Sequence, residues 1–323
     1  MRFWLLAMVA VVGGPASATY DLMFVGENPV GGQARVWRYD PVARRTLGTF
    51  GEGFISGTIS SVAVDASRGI AYVQNSVGRI SQFDYSTGVL LRALNIGSAW
   101  GEISVDPVTG YLLLGNGQGS GWNPSYSLDF STGGVVATYR DFFHGSAPLR
   151  RPGGTHVFSF GLSTSAVTLA ASAYPVGGGA RAGLVDSGAA WTGANAVRAS
   201  AFSGTNGTTF YGLANDGATN RLYRVSTSAT DFVGSISQPF NVASLSSSVG
   251  LVAGHGDLLY LRNGAQIIQF ETTTNQVIGT QSLPFGTNST LAGMAIVVAP
   301  EPGTMLALGV GLVALVRRRR SRA

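Results

Sequence analysis

The chain repeats a unit of four short apolar runs, and this repeat restricts the fold more than any other feature. The clearest unit contains residues 62–65, 70–73, 79–84 and 89–94, and the order recurs over residues 103–139. Runs rich in Val, Ile, Leu, Phe and Tyr that are separated by Gly, Ser, Thr, Asn and Asp are typical of β-strands joined by tight turns. Four such strands in each unit predict an all-β propeller built of four-stranded blades.

The corner between the third and fourth predicted strands sets the blade count. It recurs at Asp40, Asp84, Asp129, Ser226 and Glu271, about 45 residues apart except for a gap of about 97 before Ser226. The long gap fits two periods and predicts one divergent blade between residues 140 and 198. The count is then six blades, whereas seven would need a second blade hidden in the divergent stretch.

Aspartates at the hairpin turns have a structural explanation. Asp65, Asp84, Asp106 and Asp129 each precede a turn that ends in glycine. A carboxylate there accepts backbone N–H bonds, and glycine supplies the positive φ that other residues resist. We therefore assign these aspartates to the turns and not to catalysis or metal binding.

The two ends of the predicted domain complement each other. The first unit contains matches to strands two, three and four only, and residues 293–297 align with residues 61–65 of the next unit. We expect residues 291–299 to form the innermost strand of the first blade. Such closure removes the open sheet edges that favour aggregation.

The pattern Val-x-Val-Asp-x-x-x-Gly-x-x-Tyr-Val between Val62 and Val73 resembles the repeats of YVTN/NHL-type β-propellers. The resemblance covers most of the chain between its two ends and implies a propeller. Propellers of this kind are binding scaffolds, matrix proteins or enzymes, so the resemblance does not fix the function.

The first 18 residues match a secretory signal peptide. Arg2 precedes an apolar stretch over residues 3–12, which is too short for a membrane span, and the small residues Ala16 and Ala18 form a cleavage site. Cleavage by signal peptidase after Ala18 would leave Thr19 as the first residue of a propeller domain over residues 19–299.

The last 24 residues form a tripartite segment. Pro300, Glu301 and Pro302 precede an apolar run over residues 303–316, which is followed by an arginine cluster: Arg317, Arg318, Arg319, Arg320 and Arg322. As a helix the run would span about 21 Å, less than the bilayer core of about 30 Å. Clustered arginines remain on the cytoplasmic side of a membrane.

This segment resembles the PEP-CTERM sorting signal of Gram-negative bacteria. The resemblance implies transient insertion of a C-terminal helix into the inner membrane, cleavage by an exosortase near residues 300–303 that removes the arginine cluster, and delivery to the cell surface or the extracellular space. The alternative is a plain C-terminal anchor, which the short apolar run and the adjoining Pro-Glu-Pro disfavour.

Charge and composition exclude several classes of partner and chemistry. All 21 basic residues are arginine and six of them lie in the two terminal segments, which leaves 15 against 16 acidic residues in the whole chain. The domain is therefore near neutral, and nothing in it predicts nucleic-acid binding. The chain has no cysteine, so it has no disulfides and no thiolate chemistry.

No catalytic, metal-binding or cofactor-binding motif emerges from the remaining residues. The three histidines, His144, His156 and His255, have no zinc-ligand or acid–base spacing around them. We expect no cofactor and no metal.

The candidate ligand face is the one that carries the blade-to-blade connections and the loops between second and third strands. Aromatic and arginine side chains there would stack on sugar rings and bond their hydroxyls. The alternative is that they pack between blades. The candidates are Trp100, Trp122, Phe142, Phe143, His144, Arg150 and Arg151.

Two functions follow. The first is a non-enzymatic exported propeller that binds or structures extracellular polysaccharide, as the association of PEP-CTERM proteins with exopolysaccharide and biofilm implies. The second is a propeller hydrolase or lyase that acts on such glycans, which would need two carboxylates, or a histidine with a tyrosine or arginine, at the channel mouth. The acids sit mostly at hairpin corners, which favours binding.

Overall fold

The computed structural model describes residues 21–97, 101–115, 124–140, 144–145, 148–163, 168–190, 197–202, 208–215, 220–228, 233–236, 248–254, 256–284 and 290–298. Regular structure in these ranges consists of β-strands, with no helix. Accordingly, the described part of the chain holds no helix that is long and apolar enough to cross a membrane.

The strands follow one another at short intervals along the chain. They are β1 (Leu22–Asn28), β2 (Arg35–Asp40), β3 (Arg45–Phe50), β4 (Ile59–Asp65), β5 (Ile70–Asn75), β6 (Arg79–Asp84), β7 (Leu90–Asn95), β8 (Ile103–Val105), β9 (Leu112–Leu114), β10 (Ser125–Asp129), β11 (Gly134–Tyr139), β12 (His144–Gly145), β13 (His156–Ser163), β14 (Thr168–Pro175), β15 (Gly183–Ala190), β16 (Val197–Phe202), β17 (Thr209–Asn215), β18 (Asn220–Thr227), β19 (Val233–Ile236), β20 (Ser248–Ala253), β21 (Leu258–Asn263), β22 (Gln266–Glu271), β23 (Gln276–Ser282) and β24 (Thr290–Val297).

Antiparallel pairing groups the described strands into six four-stranded sheets. The first sheet has the order β24-β1-β2-β3, and the second to sixth each contain four consecutive strands, beginning at β4, β8, β12, β16 and β20. Innermost strands lie side by side, β24 next to β4 and β20, β4 next to β8, and β16 next to β12 and β20. The predicted all-β propeller with four-stranded blades is confirmed.

The core lies between the sheets. Buried apolar side chains in the described residues form six clusters, each at the junction of two successive sheets. In β1, Phe24 packs with Val62 of the second sheet, whereas Met23 and Val25 pack with Tyr260 of the sixth. Because successive side chains of a strand point to opposite faces, the first sheet buries both of its faces, as a blade within a ring must.

The chain closes on itself through its last described strand. In the antiparallel pair of β1 and β24, Leu22 lies opposite Val297 and Phe24 opposite Ala295. Met294 and Ala295 are 7% and 6% exposed, so their side chains are buried. The prediction that residues 291–299 supply the innermost strand of the first blade is confirmed, with the strand itself at Thr290–Val297.

The divergent stretch forms one four-stranded sheet, β12 to β15. Its corner between the third and fourth strands falls at Pro175, where Gly178 N–H donates to the Pro175 carbonyl at 2.9 Å. Pro175 has no side-chain acceptor, so the signal that Asp40, Asp84 and Asp129 give at the corners of the first three sheets is missing here.

The turns and loops divide between two ends of the propeller. Turns from the first to the second strand and from the third to the fourth strand lie at one end, which we call the corner end. Connections between successive sheets and loops from the second to the third strand lie at the other, which we call the loop end.

Candidate functional site

The corner aspartates are held by their own turns. The Asp40 carboxylate accepts N–H bonds from Val42 and Ala43 at 3.0 and 2.8 Å. Equivalent bonds to Oδ1 are made in the turns after Asp65, Asp84, Asp106 and Asp129. The structural role predicted for these carboxylates is confirmed.

The hydrogen bonds within the turn after Asp84 also lower the pKa of its carboxyl group. Hydrogen bonds from the Ser86 hydroxyl, the Thr87 N–H and the Thr87 hydroxyl lower the pKa of Asp84 to about 2. A carboxylate with so low a pKa is a poor general acid or base near neutral pH. Asp84 therefore belongs to the turn and has no catalytic character.

Arginines connect neighbouring sheets at the corner end. Arg68 Nη2 donates to the Thr109 carbonyl at 3.1 Å, which ties a turn of the second sheet to a turn of the third. The guanidinium groups of Arg38 and Arg92 donate in the same way to the carbonyls of Ser86 and Ser131. These contacts pass from one sheet to the next and give the arginines a packing role.

Arg150 lies elsewhere than the sequence predicted. Together with Arg151 it follows β12, in the connection to β13, and so lies at the corner end and not in the connection that leads into the fourth sheet. Its Nη1 donates to Asp106 Oδ2 at 2.8 Å, and its Nε donates to the Gly154 carbonyl at 2.8 Å. The two side chains of the ion pair are 10% and 3% exposed.

This position corrects the predicted ligand face. The sequence prediction failed because β12 is only two residues long, too short to show as a strand in the sequence. Arg150 forms a buried ion pair that joins the third and fourth sheets, so its guanidinium does not lie on the predicted ligand face at the loop end. Arg151 lies beside it in the same connection and is partly buried.

Tyr139 lies near the ion pair of Asp106 and Arg150. Burial and, second, the Asp106 charge raise the pKa of Tyr139 to about 12. Its hydroxyl donates to the Val176 carbonyl at 3.3 Å. The phenol stays neutral at physiological pH and acts as a hydrogen-bond donor within the core.

A cavity of about 360 Å³ lies among the innermost strands. Its lining is mostly aliphatic and comes from β4, β8, β20, β24 and the connection after β12; examples are Val62, Leu251 and Met294. Glu102 and Arg150 are its charged lining residues. Among the described lining residues a single carboxylate, that of Glu102, is present, whereas glycoside hydrolysis generally uses two.

A buried polar cluster joins the sixth sheet to the first. Glu27, 1% exposed, accepts bonds from Arg35 Nε at 2.7 Å and Trp37 Nε1 at 2.6 Å. Arg262 is fully buried and donates from Nη1 to the Gly26 carbonyl at 2.7 Å. Burial lowers the pKa of Arg262 to about 10, while the negative charge of Glu27 opposes that shift.

Sequence reasoning missed this cluster. Arg262 stands in a strand whose other residues read as apolar core, and a lone arginine there resembles an exposed position. The sequence did contain an indication of the cluster: Glu27 supplies a carboxylate on one strand, and Arg35 and Trp37 supply N–H donors on the next strand. The cluster lies where the last sheet meets the first, and it fixes that junction.

Several predicted site residues lie outside the described residues. These are Trp100, Trp122, Phe142 and Phe143, together with the signal-peptidase site at Ala16 and Ala18 and the sorting segment from Pro300 onward. His144 is described through its backbone only, in β12. In the described part of the chain, no group of three or more His, Asp or Glu residues forms a metal site.

Comparison with known families bears on the C-terminal segment. Residues 298–320 match the model of the PEP-CTERM protein-sorting motif. The chain carries a PEP-CTERM sorting signal. The motif implies processing by an exosortase and indicates an exported protein that is sorted to the cell envelope or surface. No curated protein matches the chain.

Solved structures that are similar to this chain support the propeller fold. The nidogen/laminin complex contains a chain that matches with a TM-score of 0.62 and 10% identity over 85% of this chain and 98% of that one. Hydrazine synthase from Kuenenia stuttgartiensis matches with a TM-score of 0.57 and 12% identity over 77% of this chain and 80% of that one. At such identities the likeness is one of fold alone.

Proposed function

We propose that this PEP-CTERM protein is an exported, exosortase-processed propeller of the cell surface or extracellular matrix. It acts as a non-enzymatic binding or structural component associated with exopolysaccharide or biofilm. The observation that carries the proposal is the sorting motif at residues 298–320, which begins where the last blade strand ends at Val297.

The proposed organisation has three parts: a signal peptide over residues 1–18, a propeller over residues 19–299 and a sorting signal over residues 300–323. The six described sheets, joined by six interfacial clusters, support a ring of six blades. In this organisation the innermost strand of the first blade is the last one to be exported, so the ring closes only after the whole domain has crossed the membrane.

A binding role is favoured over catalysis by how the acidic groups are used. The corner carboxylates accept bonds from their turns, Asp106 is also paired with Arg150, and Glu27 is buried between Arg35 and Trp37. Each of these groups has a structural partner. The alternative, a hydrolase or lyase acting on glycans, would require a second carboxylate beside Glu102 in the cavity.

The proposed ligand surface is the loop end, with Trp100 and Trp122 as its aromatic platform. The described residues that flank these tryptophans are paired: Gly101 N–H donates to the Gly115 carbonyl at 3.1 Å, and Gly115 N–H donates to the Glu102 carbonyl at 3.0 Å. The segments that carry the two tryptophans therefore leave the third sheet at the same place. This supports placing both indole rings on one surface.

The test uses the mature domain and exopolysaccharide purified from the producing culture. We expect the protein to co-sediment with the polymer and to leave its chain length and number of reducing ends unchanged during prolonged incubation. Shortening of the polymer would support the hydrolase or lyase instead. Failure to co-sediment at any protein concentration would refute the polysaccharide association.

A further inference from the structure

Both ends of the described domain leave the propeller at the corner end. The innermost strand β4 runs into the turn after Asp65, and β24 occupies the equivalent innermost position in the first sheet. Val297 at the end of β24 lies opposite Leu22 at the start of β1. The chain toward the sorting segment therefore departs from the corner end, at the centre of the ring.

Very little chain separates this exit from the apolar run of the sorting segment. Four residues, 299–302, lie between Val298 and Gly303. Fully extended, they span at most about 14 Å. The headgroup layer on one side of a bilayer is about 5–8 Å thick, so the corner end cannot stand far from the membrane while residues 303–316 are embedded in it.

Exposed apolar side chains are concentrated toward the same end. Of the large apolar side chains that are exposed among the described residues, Val42 and Val108 lie in corner turns, and Val298 lies at the chain exit. Six more lie at, or next to, the start of the outermost strands, directly after the corners: Val89, Leu91, Val135, Val136, Val277 and Ile278. Val30, Phe54 and Val77 lie at the loop end.

Basic groups accompany the apolar ones in the turn of the first sheet. Arg44 and Arg45 follow Val42 and Ala43 in the same turn and are exposed, Arg45 to 66%. The Asp40 carboxylate in this turn is 2% exposed and accepts N–H bonds from Val42 and Ala43. The turn therefore presents a valine and two guanidinium groups to the outside, a composition that suits the phosphate and glycerol region of a bilayer.

We propose that the corner end is a membrane-facing surface. While the sorting segment is embedded, the turn over residues 40–45 contacts anionic phospholipid headgroups, and the loop end with its tryptophan segments points away from the membrane. The inference rests on the proposed function, because the sorting segment supplies the tether. Because the embedded segment holds the turn close to the membrane, the turn has a high local concentration at the headgroups and even a weak contact is populated. Cleavage by the exosortase removes the tether and with it this contact.

The absence of cysteine from the chain permits a direct test with single labels. Val42→Cys places an environment-sensitive fluorophore at the corner end, and Val77→Cys, 66% exposed in the turn between β5 and β6, is the matched control at the loop end. Each uncut full-length variant is reconstituted into vesicles of phosphatidylethanolamine and phosphatidylglycerol that contain a headgroup-attached quencher. Unchanged thermal unfolding checks that neither label disturbs the fold.

We expect several-fold stronger quenching of the label at position 42 than of the label at position 77. Equal quenching of the two labels on protein that floats with the vesicles would overturn the proposed orientation and leave the sorting function intact. Protein that does not float with the vesicles would show that the sorting segment does not insert, and the proposed function and this inference would fail together.

Discussion

The replacement Gly293→Ala tests the closure of the ring, because it adds a single carbon atom between β24 and β4. A Cβ built at Gly293 would lie 2.9 Å from both Ser61 Cα and Val62 N, which belong to the backbone of β4. Ordinary contacts of a Cβ begin near 3.4 Å. Because backbone cannot swing aside as a flexible side chain can, β24 and β4 would have to separate by about 0.5 Å.

The expected cost is that of overpacking a well-packed core, about 1–3 kcal/mol. For a domain of this size each kcal/mol lowers the Tm by about 2–4 °C, so the variant should melt several degrees below the parent. The assay is thermal and urea unfolding of the mature domain. Gly177→Ala is the matched control, because Gly177 is exposed and its Cβ would meet no atom within 4 Å.

Deletion of residues 291–299 is the stronger form of the same perturbation. It would unpair β1 along its inner edge and expose the apolar contacts of Met294 and Ala295, which are worth about 25 cal/mol for each Å². We expect loss of soluble folded protein. The closure would be refuted by a truncated domain that unfolds as cooperatively as the parent, or by a Gly293→Ala variant as stable as Gly177→Ala.

Three further predictions concern the corners and the ligand surface. Arg150→Ala should destabilise the domain by about 3–5 kcal/mol in urea unfolding, because it leaves Asp106 buried without its partner. The control Arg45→Ala should cost under about 1 kcal/mol, because the Nε of Arg45 is exposed and lies 4.0 Å from Asp40. Similar losses of stability in the two variants would contradict the structural role of Arg150. The lowered pKa of Asp84 means that its contribution to stability is complete above its ordinary pKa of 3.8 and is lost as the pH falls toward about 2, so Asp84→Asn should flatten the acid limb of the stability profile, and an unchanged limb would contradict this. Replacing Trp100 or Trp122 by alanine should weaken glycan binding by about 1–3 kcal/mol with little change in Tm, and a sharp fall in Tm without loss of binding would identify a packing residue instead.

The sequence predicts the strands and corners because their chemistry is local. An Asp side chain that caps its own turn and a glycine with positive φ leave the same pattern in the repeats that contain them, as Asp84 with Gly88 and Asp129 with Gly133 do. Strand alternation likewise depends only on neighbours in the chain. The closing strand was predictable for the same reason, since residues 293–297 repeat the pattern of another innermost strand.

What the sequence could not supply depends on residues that are distant in the chain. The bond from Arg68 to the Thr109 carbonyl spans two sheets, and the burial of Arg262 follows from the sixth sheet meeting the first. Arg150 was assigned to the wrong end because β12 leaves no strand-length pattern. The candidate ligand surface was inferred from loop positions alone, and Trp100 and Trp122 remain a prediction.

The intact mass of the protein recovered from the culture medium and from the cell envelope tests the central claim most directly. Export and exosortase processing predict a species that begins at Thr19, ends near residues 300–303 and lacks the arginine cluster at residues 317–322. A surface-exposed protein that retains residues 317–323 would contradict the account and leave the sorting segment as a permanent anchor.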